Sequence, residues 1–148
     1  MDEKELYFHK LITNSHMKYT YFKLTACGAG IALVVKQTQE SIIKLSLIPL
    51  LFSVILWGTS FFFGCKYIEY YNSFLHNNVD YLKILEGKHP LTKKYNDKEK
   101  KAAMEGIEEA IKIKGKKMYN YARNQFYFLI SGAISYIIWH VLKMILRS

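Results

Sequence analysis

From Leu45 to Cys65 the chain reads LSLIPLLFSVILWGTSFFFGC, 21 residues without a formal charge. A helix of that length rises about 30 Å, the thickness of the hydrocarbon core of a bilayer. A soluble chain of 148 residues has little core in which to hide it. The stretch therefore points to a membrane protein. Pro49 stands near its start, where a missing N–H is tolerated. Trp57 falls in its middle, so it is expected to pack against a neighbouring helix or lipid rather than mark an interface.

A second uncharged run, Asn124 to Leu142, holds 19 residues and makes a final span. Tyr19 to Val35 is a weaker candidate. Its strictly uncharged part, Leu24 to Val35, has 12 residues, and it reaches span length only with Tyr19, Tyr21 and Phe22 added and Lys23 snorkelling toward the head groups. A re-entrant or interfacial helix is the competing reading there. Counted as a span, it gives the expected fold class: an all-α membrane protein of three transmembrane helices, the second and third extended into a cytoplasmic antiparallel helical hairpin. The expected organisation is an N-terminal arm or interfacial helix over 1–18, the first two spans over 19–65, the hairpin over 66–123 with its turn at 87–96, and the third span with a short tail over 124–148.

The hairpin rests on periodicity. Lys66 to Glu86 carries apolar residues at Ile68, Tyr71, Leu75, Val79, Leu82 and Leu85, in helical steps. Gly87 and Pro90 end that helix, and Asn96 or Asp97 with Glu99 can cap the next. There Ile107 and Ile111 continue an apolar stripe. Both stripes form half of a coiled coil and ask for an apolar partner, so these eight residues are candidates for an oligomer or partner interface. Pairs of small residues mark close helix packing in membranes: Ala26 and Gly30, Ser60 and Gly64, Ser131 and Ser135.

Charge sets the topology. The 148 residues carry 21 Lys and Arg against 12 Asp and Glu, a formal net charge of +9. Of these, 13 basic residues lie between Cys65 and Arg123. Positive flanks stay on the cytoplasmic side, so the hairpin and the N-terminus are expected there, in a multi-pass protein of the cell inner membrane. Lys112, Lys114, Lys116 and Lys117 lie just before the last span and suit contact with anionic lipid head groups. No nucleic-acid partner is expected from basicity alone.

Chemistry is sparse. Cys27 and Cys65 make no disulfide framework, and the histidines His9, His16, His76, His89 and His140 form no metal-ligand spacing. No phosphate loop or nucleophile motif occurs, so neither an enzyme nor a cofactor is expected. The spans contain no acidic residue, which argues against a self-contained transporter. The expected function is that of a small homo-oligomeric membrane protein, extending to a pore-forming or membrane-disrupting effector of a bacterial defence or toxin system. The alternative is a membrane anchor or accessory subunit whose cytoplasmic hairpin binds another membrane or cytoplasmic protein.

Overall fold

The computed structural model describes residues 3–39, 47–90 and 94–145. Three helices account for nearly all of them: α1 (Glu3–Thr38), α2 (Ile48–Leu85) and α3 (Asp97–Ile145). Among the described residues there is no strand. Residues 3–18 and the apolar run that follows them form one continuous helix. The first two residues of the Leu45–Cys65 stretch and most of the 36–44 connection lie outside the described residues.

Two helices, α2 and α3, are long and apolar enough to cross a membrane. The expectation of three spans is thereby corrected to two. The reason is in α1 itself. Its uncharged run is 12 residues, Leu24 to Val35, diluted by Thr25, Gly28 and Gly30 and closed by Lys23 and Lys36. The Lys23 side chain is buried rather than reaching for an interface, with Nζ 4.7 Å from the centre of the Tyr19 ring. The placement of the N-terminus beside the hairpin depended on the third crossing and goes with it. In the most apolar windows of α2 and α3 only 28% and 11% of residues are buried. A core helix of a soluble protein would be mostly covered; here the apolar outer faces suit lipid.

The chain divides into two compact units, Met1–Cys65 with Ala122–Ser148, and Lys66–Tyr121. In the first, the packing centres on Trp57, which is buried with Cys27, Val34, Leu50 and Trp139. A Cβ on Gly30 of α1 would stand 2.7 Å from the indole, and one on Gly132 of α3 2.6 Å. The ring of α2 therefore lies flush against the backbones of both neighbours, and neither glycine leaves room for a side chain. Indole Nε1 donates to the Leu129 carbonyl at 3.2 Å. Two turns further, Gly64 faces Leu24 of α1 and the Gln125 amide of α3 just as closely.

Ser53, Thr59, Ser60 and Ser135 in this unit bond to backbone carbonyls, which satisfies their hydroxyls without water. Ser53 donates to Leu50 at 2.7 Å and Thr59 to Ile55 at 2.8 Å within α2. Ser60 donates to the Gln125 carbonyl at 2.7 Å, and Ser135 to that of Pro49 at 2.6 Å, tying α2 to α3. Outside, Leu51, Phe52, Ile55, Ile134, Ile137 and Ile138 are exposed.

The second unit is the hairpin. Its first helix ends in a Schellman motif: Lys88 N–H donates to the Lys83 carbonyl and Gly87 N–H to that of Ile84, with Gly87 at φ +66°. A side chain at this φ would be strained, which is why glycine stands there. Beside it Lys88 Nζ bonds Glu86 at 2.7 Å, and that bond raises the pKa of the ammonium above its ordinary value. At the start of α3, Asn96 Oδ1 accepts from Glu99 N–H and Glu99 Oε2 accepts from Asn96 N–H, each at 2.9 Å, a reciprocal capping box. Between the two helices lie stacked Tyr70 and Tyr121, 5.3 Å between centroids, and the Lys114 ammonium, which donates to Ser73 Oγ at 2.6 Å and Asn77 Oδ1 at 3.1 Å.

Candidate functional site

The candidate interface residues divide over two faces of α2. Tyr71 is buried, and its ring stacks on Tyr67 with centroids 6.1 Å apart. The side of α2 that meets α3 in the hairpin carries Tyr70, Ser73 and Asn77, about 100° or more around the helix from Tyr71. Leu75, Val79, Leu82 and Leu85 are exposed, Leu82 at 56%. Ile68, and on α3 Ile107 and Ile111, are half-buried.

The exposed residues are not one row. A helix turns about 100° per residue, so Ile68, Asn72, Leu75, Val79 and Leu82 lie within a narrow sector while Leu85 sits well to one side. Asn72 belongs to the row and was missed in the sequence because apolar spacing passes over a polar member. Tyr71 was included because its ring is apolar, although it lies at the edge that serves intrachain packing. Along the row runs an open groove of ≈ 310 Å³ lined by Asn72, Leu75, His76 and Val79. Among the described residues these leucines and the valine make an exposed apolar face of the hairpin.

The helix-packing candidates all belong to the first unit. Gly30, Ser60 and Gly64 stand in the contacts already given. Ala26 is half-buried. Ser135 reaches the Pro49 carbonyl, whereas Ser131 is exposed and its neighbour Gly132 makes the contact with Trp57. Small-residue spacing locates the seam to within one residue, but it does not reveal that a single indole fills it. Gln125 was also missed. Its side chain is fully buried, and neither Nε2 nor Oε1 has a hydrogen-bond partner among the described residues. The only signal for it was an amide at the edge of an uncharged run.

The four lysines do not act as one cluster. Lys114 is turned into the seam of the hairpin. Lys112 is exposed and pairs with Glu108 at 3.0 Å. Lys116 and Lys117 are exposed, and Lys117 Nζ stands 5.2 Å from the centre of the Tyr70 ring. Among the described residues no group of three or more His, Cys, Asp or Glu could hold a metal ion. His140 is exposed and stacks on Tyr136 at 6.5 Å.

Comparison with protein-family models, with curated proteins and with solved structures returned no match. The functional reading therefore stands on the residues alone.

Proposed function

We propose that the chain is a membrane protein, held by α2 and α3, that assembles with copies of itself through the outer row of α2 in the hairpin. One observation carries the reading: Leu75, Val79 and Leu82 remain exposed after the hairpin has made its own seam. Exposed apolar rows of this kind, bordered by polar residues, mark sites of association. The reading keeps the hairpin on the cytoplasmic side, on the 13 basic residues between Cys65 and Arg123. Lys112, Lys116 and Lys117 are its candidates for contact with anionic head groups, and it assigns the chain no catalytic step.

Pore formation or membrane disruption, as in a bacterial defence or toxin effector, would in this reading be a property of the assembly. One copy turns its polar side chains, Ser53, Ser60 and Gln125, inward and its isoleucines and phenylalanines outward. That same outward face favours a second reading, a membrane anchor or accessory subunit whose hairpin row binds a different protein. Two measurements separate them. A self-assembling protein purified in mild detergent runs as one discrete multimer, and a pore-forming one also releases dye from liposomes. A multimer without leakage supports assembly and removes the effector role; a monomer without leakage leaves the anchor. Changing Leu75, Val79 and Leu82 to Ser should abolish the multimer and leave membrane insertion intact.

A further inference from the structure

We propose that the outer row of α2 pairs with the same row of a second copy as a short parallel, in-register two-stranded coiled coil keyed by Asn72. This rests on the self-assembly reading above and adds stoichiometry, direction and register to it.

The spacing of Asn72, Leu75, Val79 and Leu82 is three, four and three residues, the alternation of a coiled-coil seam. In that frame Asn72 and Val79 occupy the a positions and Leu75 and Leu82 the d positions. All four are exposed, and none is used by the seam with α3. A β-branched residue at a with leucine at d favours two strands, and one asparagine at a fixes register and oligomer state. The groove lined by Asn72, Leu75, His76 and Val79 is the space a facing side chain would enter.

Direction follows from what each layer would contain. In the parallel arrangement Asn72 meets Asn72 of the second copy, so one amide N–H donates to the other amide carbonyl, and each leucine or valine meets its own kind. Lys83 on one flank then faces Asn78 of the second copy, and His76 faces Tyr71; the like charges that meet are the two Glu86, just past the end of the helix and each held by its own Lys88 at 2.7 Å. In the antiparallel arrangement Asn72 falls opposite Leu82 and Ile68 opposite Glu86. The amide is then left in an apolar seam without a partner. The antiparallel pair would gain contacts between Glu69 and Lys83. Such exposed ion pairs contribute less than an unpaired buried amide costs, and Glu69 already holds Lys66 at 2.7 Å. Two heptads are too few to associate strongly in free solution. Copies inserted in one bilayer with one topology run in the same sense and at high effective concentration.

Disulfide mapping tests the pairing on the full chain in nanodiscs, with Cys27→Ala and Cys65→Ala as background. Leu75→Cys and Leu82→Cys are introduced singly, with Lys101→Cys on the exposed side of α3 as control. Each of the first two is expected to give a cross-linked dimer about tenfold above the control, and the unmodified chain to have the mass of a dimer. Linkage only when Leu75→Cys chains are mixed with Val79→Cys chains, the two positions that lie opposite each other in the antiparallel arrangement, would overturn the parallel direction. A multimer that links in neither way overturns the pairing and leaves self-assembly standing; a monomer removes both. Asn72→Val is expected to keep association while relaxing its specification, seen as a mixture of the dimer with larger species, and a single unchanged dimer overturns the role of Asn72. This variant and the native mass decide the matter even if a cysteine variant fails to fold.

Discussion

The two units partition polar and apolar side chains in opposite senses. In the unit around Trp57, serines, a lysine and an amide are buried, and isoleucines, leucines and phenylalanines face outward. In the hairpin, charges such as Lys112, Glu108 and Lys116 face outward, and the seam holds tyrosines and one bonded ammonium. The difference teaches that the solvent, not the helix, decides which face is inside. Lipid offers no gain for burying a leucine, so close backbone approach and interhelical hydrogen bonds hold the first unit. Water rewards apolar burial, so the exposed row of α2 is an anomaly in the hairpin.

If packing holds the first unit, the largest loss should follow removal of the side chain that fills its seam. Trp57→Ala is expected to lower stability by about 3–5 kcal/mol, since the indole touches two glycine backbones and no neighbour can fill the space. Thermal unfolding in detergent measures it. Amide exchange of residues 73–118 should stay at its native rate, and acceleration there would break the distinction between the units. Gly132→Ala comes next. Its Cβ would stand 2.6 Å from the indole, and overpacking of this kind costs about 1–3 kcal/mol.

In the hairpin the corresponding bond is that of Lys114. Lys114→Met removes two charge-assisted hydrogen bonds from a half-buried seam, with an expected loss of about 1.5 kcal/mol. Lys116→Met, on the exposed side, should change stability by less than about 0.5 kcal/mol. Equal effects would mean that the ammonium of Lys114 stays in water. At the start of α3, Asn96→Ala opens the capping box at a cost of about 1 kcal/mol, read as faster exchange of the first-turn amides.

Much of the fold was legible because helices carry their signals locally. The absence of charge from Leu45 to Cys65, the glycine at 87 and the Asn96–Glu99 pair each act within a few residues of themselves. Long-range placement was not legible. Nothing local in Lys114 distinguishes it from Lys116; what differs is that Ser73 and Asn77 lie opposite it on α2. The split of the α2 row failed for a related reason. Tyr71 and Leu75 are both apolar, and only long-range packing decides that the first is covered and the second is not. The third span was over-read because aromatic residues and a lysine were allowed to extend a run of 12 uncharged residues.

Gln125 carries a small expected effect and the sharpest contrast. Its backbone carbonyl accepts from Ser60, while neither end of its side-chain amide has a hydrogen-bond partner among the described residues. It lies against Gly64, so its shape is used even though its polarity is not. Methionine is unbranched and of similar length, and keeps that shape without the amide. Gln125→Met should therefore change stability by less than about 1 kcal/mol, with any change toward greater stability, because a buried donor and acceptor are removed together. Gln125→Ala keeps neither shape nor amide and should be clearly less stable than Gln125→Met. If Met is as harmful as Ala, the amide is bonded in the membrane, and the first unit depends on polar contacts more than its packing suggests.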